Sequence, residues 1–207
     1  MNNVFARPLA RFLILFFLLT LTPVSALCAN DPQQFIQTTV DKVLSVLEDP
    51  KYKSEQGKVE QAKVLRKLGD DIFDWVELSR RTLARNWNEL NTEQRKEFVH
   101  LYADLLASTY MDRVQSYAGQ KVSFLGHEML SDTKAQVNSI VDNQGKEIPF
   151  VYRLILRRGK WGVYDVQVEG VSLVKNYRTQ FADILSNQTP DEMLKILREK
   201  INTRDKE

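Results

Sequence analysis

The spacing of apolar residues changes near Gly119 from a helical period to an alternating one. Before this point, apolar residues recur every three or four positions in segments such as 98–117, which is typical of amphipathic helices. After it, apolar and polar residues alternate in segments such as 134–141 and 148–156, which is typical of strands with one buried face. The helical period returns after Glu169-Gly170. This order of helices, strands and helices predicts an α+β fold.

Short turns separate the predicted strands. Asp142-Asn143-Gln144-Gly145 and Arg157-Arg158-Gly159-Lys160 have the composition of hairpin turns. Because strands joined by such turns pair with their neighbours in the chain, we expect a four-stranded antiparallel meander. The helices must then pack on one face of a curved sheet, and such a sheet with its helices can enclose a cavity.

Several helix boundaries have local signals. Asp31-Pro32 and Thr189-Pro190 place a capping residue before a proline at the first helical position. Either Asn91 or Thr92 can cap the helix with the strongest pattern. Gly69 is the predicted C-terminal stop of a helix that begins near Ser54.

Residues 1–29 have the pattern of a cleavable signal peptide. Arg7 and Arg11 precede the apolar run 12–21, and small residues follow it. The run is about half the length that a membrane-spanning helix needs, so a retained anchor is the less favoured alternative. A lipidated Cys28 is a second alternative, although Leu27 before it does not fit a lipoprotein signal. We expect residues 30–207 to form a single domain.

Charge and cysteine content limit the chemistry of that domain. The chain has 29 basic and 27 acidic residues, and Arg7 and Arg11 account for the difference. A near-neutral domain argues against a general nucleic-acid-binding role, which would need a strong basic excess. Cys28 is the only cysteine, so cleavage after it leaves no disulfide and no thiolate site.

Individual polar residues give weak catalytic signals. His100 and His127 do not have the spacing of a metal pair. Asp165 can be interpreted as a base in a cavity enzyme, an isomerase or hydrolase, or as a structural carboxylate. The sequence favours the structural interpretation, and the enzyme remains the alternative function.

An arginine cluster is formed by Arg80, Arg81 and Arg85. Guanidinium groups bind phosphate well, so the cluster is a candidate phosphate site. A solvated helix face with structural ion pairs is the alternative interpretation, and it is the one we favour.

Apolar stripes on the predicted helices and strands are the stronger signal. The periodicity alone leaves open whether they form a packed core or line a cavity. The residues concerned are Phe98, Tyr102, Leu105, Phe150, Tyr152, Leu154, Val166, Val168, Val171, Val174, Tyr177 and Phe181.

Several segments have patterns more specific than their composition. They are Ser79-Arg80-Arg81-Thr82-Leu83 with Trp87, Thr92-Glu93-Gln94-Arg95 with Phe98, Tyr117-Ala118-Gly119-Gln120-Lys121-Val122, Ile148-Pro149 with Tyr152-Arg153-Leu154, Trp161-Gly162-Val163-Tyr164-Asp165-Val166, Glu169-Gly170-Val171-Ser172-Leu173-Val174 and Asn176-Tyr177-Arg178-Thr179-Gln180-Phe181. In this order they resemble the MlaC family, also called the toluene-tolerance auxiliary family. The resemblance covers residues 35–200.

The resemblance implies a non-enzymatic carrier of glycerophospholipid in the periplasm, with no cofactor. The implied fold is like nuclear transport factor two, a curved sheet with helices around an apolar cavity. The implied partners are an outer-membrane lipoprotein–porin complex and an inner-membrane ABC transporter with MCE domains. The implied role of this transport is to maintain the lipid asymmetry of the outer membrane. The twelve apolar residues of the stripes then become the expected cavity lining.

One position departs from the family pattern. Leu83-Ala84-Arg85 stands where the family has Leu-Gly-Arg. Since alanine is strained at a positive φ, the substitution predicts an ordinary helical conformation at Ala84.

Overall fold

A computed structural model describes residues 31–204 of the chain. The predicted signal peptide, residues 1–29, lies outside the described residues. The α-helices are α1 Pro32–Glu48, α2 Glu55–Ile72, α3 Trp75–Leu83, α4 Thr92–Gln115, α5 Leu173–Leu185 and α6 Pro190–Arg204, with short 3₁₀ helices at Pro50–Tyr52 and Ala84–Glu89. The strands are β1 Lys121–Ser131, β2 Lys134–Asn143, β3 Lys146–Arg157, β4 Lys160–Val168 and β5 Val171–Ser172.

The strands form one antiparallel sheet in the order β1-β2-β3-β4-β5. The predicted meander is therefore confirmed, with one more strand than expected because the two residues of β5 also pair with β4. The β2–β3 and β3–β4 turns are at Gln144-Gly145 and Arg158-Gly159, where both residues have positive φ. Such turns match the twist of the strands that they join.

The predicted helix starts agree with the structure. Asp31 accepts a hydrogen bond from the Gln33 backbone N–H at 2.8 Å. Asn91 caps α4 and forms a reciprocal capping box with Gln94. The predicted stop at Gly69 is wrong, because α2 continues to Ile72. Ile72 packs against the sheet, so a tertiary contact outweighs the local stop signal.

The helical conformation predicted for Ala84 is also wrong. Its φ is 51° and its ψ is −121°, a region that normally requires glycine. The chain must turn sharply here because Leu83 and Leu90, on either side of the 3₁₀ helix, are both buried in one cluster. Tertiary packing therefore imposes a strained backbone on a non-glycine residue.

Two apolar clusters form the interior. The first, here the helical core, joins α3, α4, α5 and α6 and contains Leu78, Phe98, Tyr102, Phe181 and Leu194. The second, here the sheet core, lies between the sheet and the helices and contains Ile36, Ala135, Val137, Leu154, Trp161, Val163 and Val166. The arrangement separates a helix bundle from an apolar sheet face that α1 covers.

Candidate functional site

One face of the sheet is apolar and is covered by helices; we call it the inner face. In β2 the buried residues alternate as Ala135, Val137 and Ser139. Their register partners in β3 are Leu154, Tyr152 and Phe150, so all six side chains project from the same face.

Helix residues close this face. Ile36 of α1 belongs to the sheet core, and Phe35 and Val40 of α1 pack against it, as do Ile72 and Leu173. Ile36 is completely buried, whereas Phe35 and Val40 are half-buried. The spacing of one helical turn between Ile36 and Val40 gives α1 a single apolar stripe over the sheet.

Two hydroxyl groups interrupt the apolar inner face. The Ser139 side chain is 1% exposed, and its Oγ has no hydrogen-bond partner among residues 31–204. Tyr152 lies beside it, and its ring stacks on Phe150 with 6.2 Å between the centroids. Burial raises the pKa of the Tyr152 phenol above its ordinary value, while the neighbouring Ser139 hydroxyl acts in the opposite direction.

The twelve predicted site residues do not form one group. Phe98, Tyr102, Leu105, Val174, Tyr177 and Phe181 lie in the helical core. Their rings are in direct contact: the Phe98 and Phe181 centroids are 5.1 Å apart, and those of Tyr102 and Tyr177 are 5.3 Å apart. These are normal distances for packed aromatic pairs, so this subset holds helices together.

The other predicted residues lie nearer the sheet. Leu154 and Val166 are buried in the sheet core, and Phe150, Tyr152 and Val168 pack against it while only half-buried. Val171 differs from the prediction, since it is 62% exposed and belongs to neither cluster. It lies in the short edge strand β5, where few neighbours can cover a side chain.

Asp165 has a structural role at the start of α5. Its carboxylate accepts hydrogen bonds from the Ser172 hydroxyl at 2.7 Å and from the Val174 backbone N–H at 3.1 Å. The side chain is buried and faces the first turn of the helix. A carboxylate that satisfies a helix N-terminus favours the structural interpretation made from the sequence.

Arg80 and Arg81 of the arginine cluster lie beside a buried acid together with Arg157, whereas Arg85 is exposed. Glu77 accepts hydrogen bonds from Arg80 at 2.8 Å, from Arg81 at 2.7 Å and from Arg157 of β3. Burial alone would raise the pKa of Glu77, but the arginines outweigh it and the pKa is lowered. The network ties α3 to the sheet, which supports ion pairing as the role of Arg80 and Arg81.

Other site types receive no support from the described part of the chain. Within residues 31–204, no three His, Cys, Asp or Glu side chains are grouped as a metal site would require. No helix in that range combines the length and apolar character needed to cross a membrane. An open groove of about 450 Å³ lies between α1 and α2, and its lining includes Thr38, Lys42 and Asp71 but none of the twelve predicted residues.

Ser139 and the stripe of α1 were not among the predicted site residues. The alternation of β2 places Ser139 in phase with Ala135 and Val137, so the strand pattern contains the signal for its burial. Nothing in the sequence shows that α1 is the helix that covers it, because that depends on the tertiary arrangement.

The fold and this site define a small α+β protein in which helices cover the apolar face of an antiparallel sheet. The family model described as "MlaC protein" matches residues 37–199. The chain therefore belongs to the MlaC family, as the sequence motifs predict.

Named relatives agree with this assignment. The chain is 26% identical over 193 residues to the intermembrane phospholipid transport system binding protein MlaC of Haemophilus influenzae, covering 88% of this chain and 89% of that protein. It is 25% identical over 181 residues to the toluene tolerance protein ttg2D of Pseudomonas putida, covering 86% and 83% of the two chains.

A solved structure has the same fold. The phospholipid-binding protein from Ralstonia solanacearum, determined in complex with a phospholipid, aligns with a TM-score of 0.74 and 25% identity. The alignment covers 84% of this chain and 99% of that one. The predicted α+β architecture is thereby confirmed.

Proposed function

We propose that this chain is a periplasmic glycerophospholipid carrier that holds acyl chains against the inner face of its sheet. The observation that carries the proposal is the Ralstonia relative, which has the same fold over nearly its whole length and was solved with a phospholipid bound. The names of the other relatives, one a phospholipid transport binding protein, point in the same direction.

The physical basis is the burial of acyl chains. Each methylene that moves from water into an apolar site gains about 0.8 kcal/mol, so two long chains need an apolar interior to cross an aqueous space. The sheet core suits this role better than the helical core. Its rim contains half-buried side chains such as Phe35, Phe150 and Val168, which can move apart more easily than fully packed rings.

The finer parts of the proposal concern the exchange of lipid with membrane complexes. We infer that the carrier exchanges lipid with an outer-membrane lipoprotein–porin complex and with an inner-membrane ABC transporter bearing MCE domains, and so maintains outer-membrane lipid asymmetry. The export pattern of residues 1–29 supports a periplasmic location. Carriage needs no catalytic group, and the hydrogen bonds that occupy Asp165 argue against the cavity-enzyme alternative.

The first experiment is lipid analysis of the purified protein. Native mass spectrometry with lipid extraction should find phospholipid bound to the protein as isolated. Protein that is lipid-free, and that also takes up no lipid from phospholipid vesicles, would contradict the proposal.

A pair of matched variants then tests the location of the site. Val168→Asp places a charge beside the sheet core, where it would face the acyl chains, so lipid occupancy should fall at least tenfold. Val59→Asp makes the same change on α2 at a side chain that is 57% exposed, so occupancy should not change. Equal occupancy in the two folded variants would remove the sheet core from the site.

A further inference from the structure

The inner face contains a buried hydroxyl group without a partner. Ser139 Oγ makes no well-formed hydrogen bond to any of residues 31–204 although the side chain is 1% exposed, and the Tyr152 hydroxyl lies close enough to it to affect the pKa of Tyr152. Leaving a buried hydroxyl unsatisfied destabilises the folded protein, so such groups in native proteins call for an explanation. An apolar residue at this position would avoid the cost, as Ala135 and Val137 do at the two preceding inward positions of β2.

The surroundings of Ser139 belong to the proposed lipid site. Its register partners are Phe124 in β1 and Phe150 in β3, and both pack against the sheet core. The second hydroxyl of the inner face, on Tyr152, lies beside it. Two hydroxyl donors are thus close together on an otherwise apolar sheet face.

The absence of charged side chains at the described inward positions around Ser139 and Tyr152 indicates which ligand atom their hydroxyls can bind. The inward residues around the pair are Phe124, Val137, Phe150 and Val166, which are all apolar. A phosphate oxygen would bring a negative charge into this region with no cationic side chain at those positions to offset its desolvation. A neutral acceptor has no such cost, and the neutral acceptors of a glycerophospholipid are its ester carbonyls.

We propose that Ser139 and Tyr152 donate hydrogen bonds to an acyl ester carbonyl of the bound phospholipid. This inference rests on the proposed function and adds a polar anchor to a site that otherwise recognises only apolar chains. The anchor fixes how deeply the chains enter, and it makes the protein selective for ester-linked over ether-linked lipid, because an ether lacks the carbonyl acceptor.

The test compares two phospholipids that differ only in this linkage. Vesicles contain equal amounts of dioleoyl phosphatidylethanolamine and its diether analogue, and protein-bound lipid is quantified by mass spectrometry. Wild-type protein should prefer the ester lipid by roughly tenfold, which is the effect of losing one buried hydrogen bond. Ser139→Ala and Tyr152→Phe should each reduce that preference to less than threefold while still binding lipid.

Ser79 offers a matched control. It is also fully buried with a hydroxyl that lacks a partner among the described residues, but it lies on α3 outside the sheet. Ser79→Ala should keep the ester preference, and Ser139→Thr, which retains a hydroxyl, should keep most of it. Thermal unfolding verifies that each variant is folded.

Two results would overturn the inference. Equal binding of ester and diether lipid by wild-type protein would show that no carbonyl is recognised. An unchanged preference in both Ser139→Ala and Tyr152→Phe would assign the recognition elsewhere and leave a buried water as the partner of Ser139. Failure of wild-type protein to bind either lipid is a separate outcome, which would instead contradict the proposed carrier function.

Discussion

The helical core and the sheet core are built differently. In the helical core the fully buried residues outnumber the half-buried ones that flank them, whereas in the sheet core the half-buried residues are the more numerous. Polar groups follow this division only in part, since the buried Ser79 of α3 also has no hydrogen-bond partner among residues 31–204. The Tyr102 hydroxyl in the helical core has Thr82 as its partner at 3.3 Å, while Ser139 in the sheet core has none among residues 31–204.

This difference in packing fits different roles for the two cores: the helical core supports the fold, and the sheet core is the proposed lipid site. Close packing gives a rigid region, since displacing any ring would lose many contacts at once. A region with partial burial and an unsatisfied hydroxyl loses less when a ligand enters it. The family's motifs run through both regions, so their presence does not by itself mark a residue as part of the lipid site.

The largest expected effect compares one phenylalanine from each core. Phe98→Ala should lower the free energy of unfolding by about 4 kcal/mol, because Phe98 is completely buried among aromatic rings. Phe150→Ala should cost about 2 kcal/mol, because that side chain is only half-buried. Urea unfolding of lipid-free protein measures both values, and equal losses would remove the distinction between the cores.

The next effect concerns the link between the two regions. Glu77→Gln should lower the free energy of unfolding by about 3 kcal/mol, because it leaves three arginines of α3 and β3 without their shared buried anion. Glu60→Gln is the control: its exposed pair with Lys63 should contribute less than about 1 kcal/mol. Urea unfolding of both variants measures this difference, and similar losses would mean that the buried network does not join the regions.

The same network predicts a pH dependence. Since the folded-state pKa of Glu77 is below its ordinary value of 4.5, its stabilising effect is complete above that value. The effect is lost as the pH falls through the lowered folded-state pKa. The stability difference between wild type and Glu77→Gln should therefore shrink in acid, and a constant difference would contradict the role of the charge.

The smallest effect concerns the strained turn after α3. Ala84→Gly should raise the free energy of unfolding by about 1 kcal/mol, because relief of strain exceeds the entropy that glycine adds to the unfolded chain. Gln144→Gly is the control, and its gain in the free energy of unfolding should be smaller. The φ of Gln144 is also positive, at 56°, but it lies in a hairpin turn that tolerates other residues better. The unfolding temperature of each variant, compared with that of the wild type, measures the change in stability. A destabilised Ala84→Gly would show that the turn is not strained.

Local chemistry predicted much of this fold correctly. The alternation in β2, the glycine turns and the Asn91 cap each act over a few residues, so they can be recognised without knowledge of the rest of the molecule. The errors at Gly69 and Ala84 have the opposite origin. At both positions the conformation depends on distant packing, of Ile72 on the sheet and of Leu83 and Leu90 in the helical core.

The candidate site shows the same contrast between local pattern and distant packing. Apolar periodicity correctly predicted that Phe98 and Phe150 face inward, but the family resemblance placed both in one expected cavity lining. The sequence by itself determined the order of helices and strands, the antiparallel meander and the family. Only the tertiary structure decided which inward residues share a core, that α1 covers the sheet, and that Ser139 has no partner in residues 31–204. The physical reason is that a repeating pattern specifies the direction of a side chain, whereas its neighbours come from segments far away in the chain.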